Sequence, residues 1–451
     1  MKVLLERAKG SALDISCAHL DRADILALLS LHAQQFRTLD FANNFWSSIQ
    51  RFSEAVPGPL PLLHTLKINV VDIYMLGPIA LETMDPPSLP FFNGAVNLKN
   101  LILHSERETY LNHFVFPNLT TFELLAKPAS EEFPFSELLD FLEASPTLQS
   151  VHIRIVAETF PGDIPPERVV VLPNAEIFSV TQDEPSYGIA AHVSCPSARL
   201  MSFVYEQDVE SEIPQEIFPT SSSWNAVGPQ YMASTINEIV LGITAGNNII
   251  FCSLSFSFPG LATLELGYRM ITGVGYYHES SASLGEKHSR IFSRALKAVR
   301  KHPLLNKVKR LRIQDSHVYL APHHLARIAT EAARLFEFAS PLEELTLDVD
   351  NLRPFISPFF DLPESQVSLQ PHTFPSIKGL TIAEHPGRPL DGECVTAIVG
   401  FVKSQHMRGV PLERAIFQME FPPTGMAERL KPWVGTVHFS EVNLGGDQGP
   451  M

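Results

Sequence analysis

The residues to weigh first are the clustered histidines, carboxylates, glycines and cations, because these can bind, transfer or hold a reacting group. His323 and His324 are adjacent. Neighbouring residues on a helix point in different directions, and helical ligand pairs favour spacings of three or four, so this is a poor metal site. Asp348 and Asp350 share one face of a predicted strand and resemble a carboxylate pair; two solvated side chains following Leu347 is the plainer reading. Leu284-Gly285-Glu286-Lys287-His288 has a single glycine and no hydroxyl after its lysine, so it is not a phosphate-binding loop. Gly273-Val274-Gly275-Tyr276-Tyr277-His278 lacks the third glycine of a dinucleotide fingerprint and reads as an insertion. Neither His-Glu-x-x-His nor Gly-x-Ser-x-Gly occurs. Cys17, Cys195, Cys252 and Cys394 lie far apart without a Cys-x-x-Cys spacing, which suits reduced thiols in a cytoplasmic or nuclear protein. The expectation is a protein with no catalytic residues, no metal and no cofactor, and hence not an enzyme.

The cations are less easily set aside. From Lys287 to Arg312 there are ten Lys or Arg residues and no Asp or Glu. On a helix predicted over 288–301, Arg290, Arg294, Lys297 and Lys301 make one basic stripe. The stripe is either a docking face for an acidic partner, a membrane surface or nucleic acid, or a solvated outer face of an amphipathic helix. The net charge of −15 argues against broad nucleic-acid affinity, which needs a basic surface. A register match offers part of the basic run an internal use. Setting Val308-x-x-Leu311-x-Ile313 beside Leu342-x-x-Leu345-x-Leu347 puts Lys309 opposite Glu343 and Arg310 opposite Glu344. In adjacent strands such pairs stand about 5 Å apart.

The elements that must position these side chains come from a recurring pattern. Phe116-Pro117-Asn118-Leu119-Thr120-Thr121-Phe122-Glu123-Leu124 opens on a proline turn, and its apolar residues fall at relative positions 1, 4 and 6. The pattern returns at Leu63-Leu66-Ile68, Leu98-Leu101-Leu103, Leu148-Val151-Ile153, Ala175-Phe178-Val180, Ala198-Met201-Phe203 and Leu261-Leu264-Leu266. It returns again at Val308-Leu311-Ile313, Leu342-Leu345-Leu347, Ile377-Leu380-Ile382 and Leu412-Ala415-Phe417, with Ile236 to Ile243 as a degenerate copy. The last two positions keep the period of a strand with one buried face, and proline belongs just before a strand because it cannot donate to the ladder. One copy cannot bury its apolar side, whereas stacked copies can. The predicted fold is α/β, a leucine-rich-repeat-like solenoid with a curved parallel sheet and with helices and loops on the outer side.

Residues 1–56 read as an N-terminal cap of helix plus strands, with Asp21 as a helix N-cap. The solenoid spans 57–442 with insertions at 206–230, 267–286 and 351–373, and 443–451 form a flexible tail. Helices are predicted at 136–144, 288–301, 321–338 and 391–405. The uncharged stretch from Ile239 to Leu264 contains Asn247, Asn248 and Pro259 and reads as two strands and a turn, so no membrane span is expected. In a leucine-rich repeat the residues between the buried strand positions face the concave side. Lys67, Asn69, His104, Glu123, His152, Arg154, Arg310, Arg312, Glu344 and Asp348 are then the candidate partner-binding residues.

Three features carry a resemblance. One is Leu4-Leu5-Glu6-Arg7-Ala8-Lys9-Gly10-Ser11-Ala12-Leu13-Asp14-Ile15; another is the helix, Ser145-Pro146 and Leu148-x-x-Val151-x-Ile153 run between Phe135 and Ile153. The third is the set of Phe-Pro-x-Leu-like strand openings. Together they resemble the leucine-rich-repeat region of fungal, mushroom-type F-box proteins. In that family the F-box docks on the adaptor of a cullin-based ubiquitin ligase while the repeats hold the substrate. The resemblance implies an intracellular, non-catalytic protein-interaction module. No F-box precedes the first repeat within this sequence, so the ligase adaptor is an expected partner only if an F-box lies upstream. The competing expectation is a nucleic-acid- or chromatin-associated repeat protein using the basic 287–312 segment.

Overall fold

The computed structural model describes residues 10–17, 22–44, 46–56, 58–70, 95–105, 111, 116–127, 133–156, 167–182, 189, 192–208, 213, 218, 236–246, 249–258, 263–271, 281–301, 308–316, 322–338, 342–349, 355, 377–383, 390, 392–419 and 422–440. The chain is α/β, its sheets are mostly parallel, and no closed barrel forms among the described residues. It divides into two compact units, Met1–Val204 with Ala226–Gly228, and Tyr205–Asn225 with Pro229–Met451.

The first unit opens with β1 (Leu13–Cys17), α1 (Ala23–Ser30), a 3-10 turn at Ala33–Gln35, β2 (Phe36–Asn44) and α2 (Trp46–Ala55). Then come β3 (Thr65–Val70), β4 (Asn100–Ser105), β5 (Thr121–Ala126), α3 (Phe135–Glu143), β6 (Ser150–Ile155), β7 (Val170–Val171), β8 (Ile177–Gln182) and β9 (Val193–Ser194). β10 (Leu200–Asp208) starts in this unit. The strand order β1-β2-β3-β4-β5-β6-β8-β10 follows the sequence, and the pairs from β1 to β8 are parallel. β7 and β9 form a separate parallel ribbon. Buried and half-exposed residues alternate strictly in β3, β4, β5 and β8. The register stacks Leu39, Leu66, Leu101, Phe122, Val151 and Phe178 in one row, all fully buried. α3 lays Phe141 against this row, its ring 4.4 Å from that of Phe122. The N-cap of α1 is Arg22, which makes no side-chain cap bond. Asp21, expected there, lies outside the described residues.

The proline turns explain how the copies stay in step. Asn97 Nδ2 donates to the carbonyl of Pro61 (2.7 Å), Asn118 Nδ2 to Val96 (2.8 Å) and Asn174 Nδ2 to Pro146 (3.0 Å). Thr147 Oγ1 donates to the carbonyls of Pro117 (3.0 Å) and Leu119 (2.8 Å), and Ser197 Oγ to Pro173 (2.6 Å). The residue after the proline position thus ties each turn to the turn of the strand before it, 22 to 36 residues away in sequence. Asn118, which also satisfies a glycosylation sequon with Thr120, has this ladder as its use.

The second unit contains β11 (Glu238–Gly246), β12 (Ile249–Ser257), β13 (Thr263–Ile271), α4 (Ser281–Lys301), β14 (Arg310–Ser316), α5 (Pro322–Phe338) and β15 (Glu344–Val349). β16 (Gly379–Ala383), α6 (Gly392–Met407), β17 (Leu412–Gln418), α7 (Met426–Leu430) and β18 (Val434–Ser440) complete it. Its order is β13-β12-β11-β14-β15-β16-β17-β18. The run from β14 to β18 is parallel, and β11 joins it in parallel, but β11, β12 and β13 form an antiparallel meander. A uniformly parallel sheet is thereby corrected. Strands joined by short links can only return antiparallel, because a parallel return needs a crossover of a dozen or more residues. The uncharged segment expected to be two strands and a turn lies in this meander. No helix among the described residues is long and apolar enough to cross a membrane.

Every apolar triplet of the repeat is buried except Leu261, which lies outside the described residues. The insertions need correction. Residues 206–208 belong to β10, and Glu206 is buried. The segment 267–286 is largely taken up by β13 and the start of α4, while 272–280 lie outside the described residues. The 351–373 segment and the 443–451 tail also lie outside them, Phe355 excepted, which is buried against Phe292. The predicted helices correspond to α3, α4, α5 and α6, α4 beginning seven residues earlier than expected because Ser281–Lys287 continue the helix.

Candidate interaction surface

Period-two alternation puts the residues between the buried positions on the opposite, half-open face of each strand. In the first unit they fall into cross-strand rows. Asp40, Lys67, Ile102, Glu123, His152 and Ser179 form one, and Asn69, His104, Leu125, Arg154 and Thr181 the next. All six candidate residues of this unit, Lys67, Asn69, His104, Glu123, His152 and Arg154, therefore share one face. His104 Nε2 stands 3.3 Å from Glu123 Oε1, and Ser150 Oγ 3.0 Å from His152 Nε2. Asn100 Nδ2 donates to Thr65 Oγ1 at 3.1 Å. At the β1 edge Arg37 pairs with Asp14, and this bond holds the Asp14 carboxyl below its ordinary value.

In the second unit charge pairs link neighbouring strands, both on the open face and at the residues just before it. Lys309 Nζ lies 3.4 Å from Glu343 Oε1, as the register match required, and Lys378 Nζ lies 3.8 Å from Glu343 Oε2. Arg310 stands in register with Glu344, but Glu344 is taken by Arg414 from two strands away, and Arg310 Nε donates to the Asn237 carbonyl at 3.4 Å. Gly379 on the intervening strand makes that reach possible. A Cβ there would stand 3.1 Å from Arg414 Nε and 3.5 Å from Glu344 Cγ. Sequence reasoning missed Arg414, although setting Ile377-Lys378-Gly379-Leu380 beside Leu412-Glu413-Arg414-Ala415 exposes the missing side chain between Glu344 and Arg414. Arg312 donates to Asp348 Oδ2 at 2.9 Å, and Gln314 Nε2 to the same oxygen at 3.1 Å. Asp348 is thus an ion-pair partner, while Asp350 lies outside the described residues.

Two cations of the basic stripe on α4 are engaged within the chain. Arg290 pairs with Glu286 one turn earlier, and Arg294 donates to the Ile213 carbonyl; Lys297 and Lys301 are exposed. Lys287 and His288, in the segment compared with a phosphate-binding loop, are helical. Gly273 to His278 lie outside the described residues. His324 is buried, and the side chain of His323 lies outside the described part.

One polar pair escaped sequence reasoning. His288 Nε2 of α4 stands 3.1 Å from Asp315 Oδ1 of β14, both buried. Its signal is a carboxylate at the position that continues the buried alternation of Leu311 and Ile313. The neighbouring Cys252 thiol is pushed up by burial and, secondarily, by Asp315, so it is not a ready nucleophile. Burial likewise raises Cys17 to about 11 and Cys195 to about 12. No three His, Cys, Asp or Glu residues group as metal ligands among the described residues.

These features define an α/β chain whose parallel strands present half-open faces of hydrogen-bonding groups and cross-strand ion pairs. No protein-family model matches the chain, and no curated protein sequence matches it.

Proposed function

We propose that this protein is a non-catalytic protein-interaction module, built as a leucine-rich-repeat-like solenoid, whose open strand faces receive a protein partner. In this reading it works as do the substrate-recognition repeats of the F-box ubiquitin-ligase receptors that its sequence resembles. The observation that carries the reading is the alternation of buried and half-exposed residues along parallel strands. A parallel sheet covered by helices on both faces is apolar on both, whereas a stack with its crossovers on one side leaves a polar face free. The turn ladder of Asn, Thr and Ser supports it, since it ties like positions of successive copies. Cysteines that form no disulfide suit a cytoplasmic or nuclear setting. The nucleic-acid alternative draws less support, because two of the four stripe cations are bound within the chain.

The test is charge reversal on the first unit. Lys67→Glu, His152→Glu and Arg154→Glu together are expected to abolish capture of a protein partner in affinity purification without lowering the melting temperature. Deleting 209–222, which removes buried Phe218 and the Ile213 carbonyl that receives Arg294, is expected to lower the melting temperature but leave capture intact. Capture that survives the triple variant but is lost with the deletion overturns the open-face assignment. Co-precipitation with the ubiquitin-ligase adaptor, using the chain with its upstream coding sequence, tests the ligase link. Reproducible turnover by the purified protein would remove the non-catalytic part of the reading.

A further inference from the structure

The C-terminal end of α6 carries a feature that the open strand faces do not explain. Val395, Ile398, Val402 and Gln405 form the buried stripe of this helix, and Arg408 follows at the next helical step. Its stem is therefore drawn inward, and the residue is half-buried. Its Nε has no hydrogen-bond partner, and no carboxylate lies within ion-pair distance of it among the described residues. Burial pulls its guanidinium below the ordinary value, with no opposing charge. A cation drawn out of water without a counter-charge is costly, and an incoming anion removes that cost.

The surroundings fit such an anion. Lys403 and His406 lie on one helix face at a spacing of three, and both meet the Trp433 ring. Lys403 Nζ is 5.8 Å from its centroid, and the His406 ring stands edge-on at 5.4 Å. Met407, next on that face, is 69% exposed. Lys431, two residues before Trp433, is exposed as well. Cations thus flank an accessible thioether and a half-exposed indole, in a chain of net charge −15. The helix C-terminus favours cations on its own account, but it does not account for Arg408 being drawn inward without a partner.

We propose that Arg408, Lys403, His406, Met407, Lys431 and Trp433 form a docking point for a short acidic segment of a partner protein. Its carboxylates would meet Arg408 and the lysines, and an apolar side chain would lie on Met407 and Trp433. A short acidic peptide fits better than nucleic acid, because nucleic acid tracks an extended basic surface and these cations are few and local. The residues are separate from the open strand faces, so this site stands or falls independently of the function proposed above.

The test uses the full chain and a fluorescein-labelled peptide of eight glutamates interrupted by two leucines, read by anisotropy at low salt. Saturable binding is expected. Arg408→Gln should weaken it at least about tenfold, the loss expected of one charge-assisted bond. Lys403→Gln should weaken it less, and Lys297→Gln on α4 should not change it. Because Arg408 has no internal partner, Arg408→Gln should leave the melting temperature unchanged or raise it. A lowered melting temperature, or equal peptide binding by wild type and Arg408→Gln, overturns the proposal. Tighter binding of a single-stranded oligonucleotide or of anionic vesicles through the same residues overturns the choice of partner.

Discussion

The two units hold parallel strands in register by different means. In the first, successive turns are tied by short side chains donating to backbone carbonyls: Asn97, Asn118, Thr147, Asn174 and Ser197. In the second, β14 to β17 are linked by long charged side chains, Lys309–Glu343–Lys378 just before the strands and Glu344–Arg414 on the open face. A side chain fixed to a backbone carbonyl has few rotamers to lose and is nearly insensitive to salt. A pair of long charged side chains loses more conformational freedom and is screened. The first device specifies register strongly; the second adds little stability but sets which charges remain for a partner.

The largest expected effect asks whether the cores are alike despite this difference. Phe122→Ala in the first unit should cost about 3–5 kcal/mol, and Leu345→Ala in the second about 2–5 kcal/mol, measured by denaturant unfolding. A near-neutral result for either would show that its unit is not held by the buried rows. Next, Asp315→Ala should cost about 1–3 kcal/mol, since it leaves His288 buried with no partner on Nε2.

A smaller effect addresses the turn ladder. Thr147→Val keeps the shape but removes donation to two carbonyls and should cost about 0.5–1.5 kcal/mol, unchanged between low and high salt. Gly379→Ala sharpens the contrast. The added methyl must displace the exposed Arg414 side chain, and the lost Glu344 pair is worth at most about 1 kcal/mol. Its cost should vanish at high salt and in a Glu344→Gln background. The same cost in both backgrounds would mean that backbone crowding, not the ion pair, is what the glycine relieves.

The smallest effect concerns pH at the β1 edge. Arg37 holds Asp14 below its ordinary value of 3.8. That contribution is therefore complete above the unfolded carboxylate range and is lost as pH falls through the folded value. Asp14→Asn should narrow the difference in stability between neutral and acidic pH slightly, measured by thermal unfolding across the carboxylate range.

Much of the fold was legible because its signal is local. The apolar triplets, the proline before most of them and the helices at α3, α4, α5 and α6 all follow from period and turn chemistry within short windows. The Lys309–Glu343 pair was legible because register fixes which residues meet once two strands are neighbours. β12 illustrates the opposite case. Ile250, Cys252, Leu254 and Phe256 alternate well, yet without the proline opening they gave no repeat match, and direction within a sheet has no local signature. The candidate site divides in the same way. Which residues share the open face was readable from alternation; which of them are already engaged was not.

The sequence by itself determined the class, the spacing of the strands and the side of each strand that is buried, because these depend on residues within a few positions of one another. Only the tertiary structure decided that β11, β12 and β13 run antiparallel, that Arg414 reaches across Gly379 to Glu344, and that Arg294 donates to the carbonyl of Ile213. It alone left Arg408 half-buried without a partner. Each of these depends on groups brought together from distant parts of the chain, and such meetings are set by the packing of whole elements rather than by local preference.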